Sequence, residues 1–405
     1  MFLLFRKHQK VISIFLAGIL LRLLIMPFTG HWDLTSLHQV AQSLYSGGTN
    51  AAYQYYYAIY PPLAYIFLGF WQKIINPFLF SDFLSFLNNE VFVSFSSSHA
   101  LRYFFLLKIP YMFFDIGIGI LLYSMMNEQE KKDKIFLLWF FNPITLYATF
   151  AWGTLDIIPT FFIVLSLFLV NKNHNMISAV MLGIGASFKA FPLLLLLPLC
   201  LISMSGVGKK KIFAIIFGLA PFLLILFPFL KNSNFVASFF SSEQIQIIQH
   251  AGFYIGRGEN LSLYYIFYAL LILFLSNYKI KKEHLSWFFF LVLFVFYAFS
   301  AFTPQWFVWG LPFFFMVCVH SNLSNKWLVF ITILYFSIVL LFEVTLNFGL
   351  FAPLDISLLD YPSIGDKVSS FINTNRLMGI IRSCLSGIIL WLVYITKPKR
   401  FYEDI

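Results

Sequence analysis

The sequence predicts an all-α, polytopic bundle of transmembrane helices, and three observations carry that expectation. Of 405 residues, 60% are hydrophobic and 11% charged, against about 25% charged in an average soluble domain. Mean hydropathy is +0.82. The apolar residues fall in long runs separated by short basic clusters, the pattern of spans and their cytoplasmic anchors.

The first run, 11–27, follows Arg6, Lys7 and Lys10 and ends in Met26-Pro27-Phe28 without a small-x-small cleavage site, so it reads as an uncleaved helix. Further runs lie at 101–124, 135–150, 155–170, 177–204, 212–230, 261–276, 285–302, 306–320, 327–349 and 378–396. The run 177–204 is interrupted at Phe188-Lys189-Ala190-Phe191-Pro192. If it turns at Lys189, the clusters around Lys10, Lys131–Lys134, Lys209–Lys211, Lys279–Lys282 and Lys397–Arg400 all face one side. That parity predicts about twelve spans of about 20 residues or fewer, with both termini cytoplasmic. A re-entrant hairpin at Lys189 satisfies it equally. The same parity makes residues 60–76, opened by Tyr60-Pro61-Pro62, a juxtamembrane helix rather than a span. Residues 28–99 then form one long outer loop, 231–260 a second, and 1–405 a single membrane domain. Loops as long as the first tend to be functional.

The formal charge of +10 is scattered between apolar runs rather than gathered in a stripe, which argues against nucleic acid as a partner. Cys200, Cys318 and Cys384 all lie in apolar runs without metal-ligand spacing. No glycine-rich phosphate loop or Ser-His-Asp spacing is visible.

The polar residues that remain concentrate at outer helix ends. Asp33 follows the first span, where it is a general base, a helix cap or a surface charge. Asp115 lies inside the second span, where ionisable groups face the protein interior, while Arg22 lies about 7 Å below Pro27 in the first span, within snorkelling reach of the outer headgroups. Lys108 and Asp115 are two helical turns apart, about 10 Å along one face. Trp152-Gly153-Thr154-Leu155-Asp156 makes a tight turn in which Trp152 is an interface anchor and Asp156 a cap or a site residue. Lys189 stands alone and suits a lipid phosphate. His250 and Arg257 in the second outer loop suit a sugar or phosphate, and Gln305, after helix-breaking Pro304, suits a sugar hydroxyl.

Taken in order, these motifs resemble those of the polytopic glycosyltransferases of the GT-C superfamily, closest to bacterial relatives of GPI mannosyltransferase II and polyprenyl-phosphate-mannose-dependent transferases. The resemblance rests on Asp33, Tyr60-Pro61-Pro62-Leu63, Lys108-Ile109-Pro110 with Asp115, the Trp152–Asp156 turn, Phe188-Lys189, and Pro304-Gln305-Trp306 with Trp309. It covers most of residues 20–312. Two departures are plain: Thr154 stands where the family has Gln, and Asp33 has no acidic neighbour. One carboxylate is a poor divalent cation site, so no metal or other cofactor is expected.

The resemblance implies an inverting hexosyltransferase on the outer face of a bacterial cytoplasmic membrane. Its donor would be a polyprenyl-phosphate-linked sugar and its acceptor a hydroxyl of a glycan, glycolipid or protein. It implies Asp33 as the general base. Lys108, Lys189, Arg22 and Arg257 would hold the donor phosphate. Asp115, Trp152, Asp156, His250 and Gln305 would orient substrate. The alternative is a transporter or flippase of lipid-linked sugars, whose polar groups belong at the membrane midplane and in internal repeats. Neither feature is evident here.

Overall fold

A computed structural model describes residues 2–88, 94–204, 208–240 and 252–399, with side chains from residue 9 onward. The chain begins with α1 (Phe2–Phe28), α2 (Trp32–Ala52), α3 (Pro62–Ile75), α4 (Phe83–Asn88), α5 (Ala100–Met125) and α6 (Gln129–Phe140). A wide π-helical segment, Leu146–Trp152, leads to α7 (Ile157–Asn171), α8 (Asn175–Ala186), α9 (Leu196–Ser203), α10 (Gly208–Leu226) and α11 (Ser233–Phe240). A two-stranded antiparallel hairpin follows, β1 (Gly252–Gly256) and β2 (Glu259–Ser262). The chain closes with α12 (Leu263–Asn277), α13 (Leu285–Phe299), α14 (Leu311–His320), α15 (Asn325–Val339), α16 (Ile364–Ser369) and α17 (Thr374–Ile395).

This is an integral membrane protein, overwhelmingly helical. Six helical stretches among the described residues are long and apolar enough to cross a bilayer: Gln9–Phe28, Ala100–Met125, Gln129–Trp152, Gly208–Phe229, Lys282–Phe299 and Thr374–Ile395. The other runs predicted as spans are shorter helices of 10–17 residues, and the run 327–349 breaks after Val339. The β-hairpin corrects the purely helical expectation. Its turn, Gly256-Arg257-Gly258, has positive φ at all three residues, which the two glycines adopt without strain.

The run 177–204 folds as a helical hairpin. The chain climbs α8, breaks at Ser187–Ala190 and returns through a 3₁₀ turn and α9. Its two ends meet where Asn175 Nδ2 donates to Ser203 O at 2.8 Å. Other contacts gather the basic clusters: Lys10 pairs with Asp133 at 3.4 Å, and Trp287 Nε1 donates to Thr396 Oγ1 at 3.3 Å. From Lys10 to Phe28 the first helix rises about 27 Å. Asp33 therefore stands at the end opposite Lys10.

Buried polar groups bind the helices together in a medium where each must find a partner inside the protein. Arg22 and Asp115 are both fully buried and form a two-point ion pair, Nε to Oδ2 at 2.6 Å and Nη2 to Oδ1 at 3.2 Å. Arg22 Nη1 also donates to Gly18 O and Phe140 O, and Trp139 Nε1 donates to Asp115 O. Three helices, α1, α5 and α6, meet at this knot.

The loop between α1 and α2 is as tightly held. Gly30 N–H donates to Leu350 O at 2.8 Å, and a Cβ on Gly30 would stand 2.4 Å from the Phe104 ring. The π-helical segment ends at Gly153, whose φ of +91° is left-handed. A Cβ there would sit 3.0 Å from Leu34 and 3.1 Å from Lys108 Cε.

Breaking the buried pair by Arg22→Ala is expected to lower unfolding free energy by about 3–5 kcal/mol, because Asp115 is left charged and alone. Thermal unfolding in detergent measures this, and Arg22→Met with Asp115→Leu is expected to recover much of the loss. Gly153→Ala is expected to cost about 1–2 kcal/mol through left-handed backbone strain, read as a lower unfolding midpoint.

Candidate active site

Four separate stretches converge at the end away from Lys10. The loop 29–33 contributes His31 and Asp33, the π-helical segment Trp152, the α8–α9 hairpin Lys189, and the 3₁₀ turn Pro304–Trp309 contributes Gln305, Trp306 and Trp309. Beside His31, Asp33, Trp152 and Gln305 lies a cavity of about 270 Å³. Asp33, Tyr60, Trp152, Gln305 and Glu343 are among its walls.

Asp33 sits in the first turn of α2, and His31 is the cap. The His31 ring accepts the Asp33 backbone N–H at Nδ1, 3.1 Å away. The Trp152 indole N–H is shared between Asp33 Oδ2 at 2.9 Å and His31 Nδ1 at 3.0 Å. With Nδ1 accepting twice, the His31 proton belongs on Nε2 and the ring is neutral. Burial agrees, pushing His31 down to about 3. The 3.5 Å approach of His31 to Asp33 is therefore a contact of a neutral ring, not an ion pair. Asp33 Oδ1 has no hydrogen bond from the described residues and is not buried, which leaves it to the cavity. The side chain is 28% exposed and lines the cavity. Burial pushes the carboxyl up from 3.8 to about 6, while the Trp152 hydrogen bond and Lys189 pull it down and Asp156 pushes it up.

Asp156 makes no side-chain cap for α7. Its Oδ1 instead accepts from Lys189 Nζ at 2.8 Å and from the Trp309 indole N–H. The Lys189 ammonium also stands over the rings of Tyr60, Trp309 and Trp306, at 5.2, 5.2 and 5.5 Å. Stacking of Phe191 on Trp309 at 3.7 Å fixes the hairpin tip to the 304–309 turn.

Several buried polar atoms at or near the cavity have no hydrogen-bond partner among the described residues: His31 Nε2, Asp156 Oδ2, Thr303 Oγ1, Gln305 Oε1 and Trp306 Nε1. Buried polar groups are ordinarily satisfied. A cluster of unsatisfied donors and acceptors beside a cavity is what a hydroxyl-rich ligand or ordered water would complete.

The structure thus brings Asp33, Trp152, Asp156, Lys189 and Gln305 together. It sets Arg22 and Asp115 apart as the helix knot described above, so Asp115 pairs with Arg22 and not with Lys108. Lys108 lies beneath the site, fully buried. Its ammonium donates to Met26 O, Thr29 O, Thr29 Oγ1 and Ala151 O at 3.2, 2.7, 3.1 and 3.2 Å. Four acceptors around three protons leave none for a phosphate. These contacts engage every Lys108 proton and four of the five Arg22 N–H donors inside the protein. Arg257 is exposed at the hairpin tip, and His250 lies outside the described residues. Among the described residues no group of three His, Cys, Asp or Glu is placed to hold a metal ion.

Sequence reasoning passed over Glu343, which it left inside the apolar run 327–349. A lone acid in such a run is itself a signal of a functional position. His31, two residues before Asp33, carried no sequence signal of its own.

No family model matches the chain. Two curated proteins are similar over short stretches. GPI mannosyltransferase 1 of Saccharomyces cerevisiae is 21% identical over 107 residues, 26% of this chain and 26% of that protein. GPI mannosyltransferase 1 of Candida albicans is 28% identical over 95 residues, 22% of this chain and 24% of that protein. The matched stretch spans about a quarter of the length of these relatives. Both are GPI mannosyltransferase 1 rather than relatives of GPI mannosyltransferase II, so the similarity supports a mannosyltransferase-like resemblance and not the bacterial relatives that the motifs suggested.

Proposed function

We propose that the protein is a mannosyltransferase-type glycosyltransferase of the GT-C kind that moves a hexose from a polyprenyl-phosphate donor to an acceptor hydroxyl. One observation carries the reading: a carboxylate with a free oxygen lines a cavity, and the ion-paired Lys189 stands close enough to pull its pKa down. The similarity to two mannosyltransferases supports the same class.

In this reading Asp33 Oδ1 takes the proton of the acceptor hydroxyl. The acceptor oxygen forms the new bond to the anomeric carbon as the bond from that carbon to the phosphate oxygen breaks. The phosphate leaves with the electron pair, and a single displacement inverts the anomeric centre. Lys189 stabilises the phosphate as its charge develops, with Asp156 and Trp309 fixing the ammonium. Trp152 holds the base in place by gripping Oδ2, so that Oδ1 alone meets substrate. Gln305, with a free amide oxygen, binds a sugar hydroxyl. The site would lie at the outer leaflet of a bilayer crossed about twelve times, with the basic ends in the cytoplasm.

Asp33→Asn is expected to lower the transfer rate by about 10²–10⁴-fold. The assay is purified protein in lipid with labelled polyprenyl-phosphate mannose and a panel of glycoside and peptide acceptors. Because the folded carboxyl prefers its proton, its contribution to stability is full below 3.8 and lost as pH rises through about 6. The asparagine variant is therefore expected to unfold no earlier than wild type at pH 7. Wild-type rates in Asp33→Asn would refute the base, and lipid movement without a glycosidic product would refute transfer.

The base must be ionised, so wild-type kcat/KM is expected to fall tenfold per pH unit below about 6. Lys189→Gln combined with Asp156→Asn removes both charges and leaves no buried ion alone. That pair is expected to fold and to raise donor KM about tenfold or more.

A further inference from the structure

The cavity holds a second carboxylate that comes from the far end of the chain. Glu343 follows α15, is exposed, and lines the same space as Asp33. Among the described residues no ion pair or side-chain hydrogen bond occupies its carboxylate. Its backbone, by contrast, is held firmly. Asn347 Nδ2 donates to Phe342 O and Glu343 O, both at 3.0 Å. Leu346 O accepts from the Tyr147 hydroxyl at 2.7 Å, and Leu350 O accepts from Gly30 N–H at 2.8 Å. A free acid on a fixed backbone, bolted to the loop that carries Asp33, is placed to bind a ligand.

The charges near the two carboxylates differ: Lys189 and Asp156 act on Asp33, whereas Glu343 and the buried Lys108 act on His31. A donor phosphate is drawn to Lys189 and repelled by Glu343. The Glu343 end suits a neutral, hydroxyl-bearing molecule, since a carboxylate is an acceptor-only group that can take hydrogen bonds from two hydroxyls. Trp32, Trp152 and Tyr57 line the same cavity, and aromatic side chains suit the apolar C–H face of a pyranose.

We propose that Glu343 forms an acceptor-sugar subsite, taking hydrogen bonds from hydroxyls beside the one that Asp33 deprotonates. The assignment rests on the transferase reading, and its test is separable from it. Methyl α-D-mannopyranoside is titrated into the full-length protein in lipid nanodiscs, with binding followed by saturation-transfer NMR. Glu343→Gln is expected to weaken binding about tenfold or more, the effect of losing hydrogen bonds to a charged acceptor. Glu343→Asp is expected to fall between the two, and affinity for polyprenyl monophosphate is expected to stay unchanged. In turnover, Glu343→Gln should raise acceptor KM with kcat and donor KM retained, a split that general loosening of the fold would not produce. Unchanged glycoside binding in Glu343→Gln, or no saturable binding by wild type, overturns the subsite. A wild type that binds the glycoside through Glu343 yet never consumes donor overturns the transferase reading and leaves the subsite standing.

Discussion

The Lys108 ammonium is the tie on which the site's geometry depends. It gathers the last carbonyls of α1, the Thr29 hydroxyl and the Ala151 carbonyl around one buried charge. Trp152 is the next residue after Ala151, and Asp33 lies four residues beyond Thr29. Holding those two carbonyls to one nitrogen therefore sets the indole against the carboxylate. In water a lysine could leave such partners cheaply. In an apolar interior, leaving them strands both the charge and the carbonyls. The same logic governs Arg22 and Asp115, so two buried cations organise the first third of the chain without touching the cavity.

What was legible in the sequence follows from what hydrophobicity and charge can encode. Apolar runs marked the helices, and the parity of lysine clusters favoured a reversal near Lys189, where α8 and α9 form a hairpin whose ends are joined. Charge parity could place Lys108, Asp156 and Lys189 at one end of the bundle, but it could not say which cations were already occupied. That depends on which carbonyls come free at helix ends, a property of packing. Arg22 and Lys108 thus resembled phosphate ligands until their partners were seen. Glu343 was hidden differently: α15 ends at Val339, yet the residues after it stay apolar because they pack on Trp152 and Tyr147, and hydropathy cannot distinguish a span from a buried turn.

The site balances two opposite electrostatic demands. A base needs a carboxylate that keeps an appetite for protons, and burial supplies it at Asp33. In the proposed transfer a leaving phosphate needs a cation, and at Lys189 the Asp156 carboxylate and three aromatic faces favour the charged form against the burial that lowers its pKa. The two groups are close enough to influence one another but are held by different elements. Each can be tuned without dismantling the other.

The bond from Gly30 to Leu350 also has a consequence for the order of events during synthesis. The wall of the cavity that carries Glu343 and Leu346 emerges after nearly all the helices have been made. Until then the cavity beside Asp33 lacks that wall. A ribosome-bound chain short of residue 343 carries the carboxylate but not the finished cavity, so the proposed site is completed only late in translation.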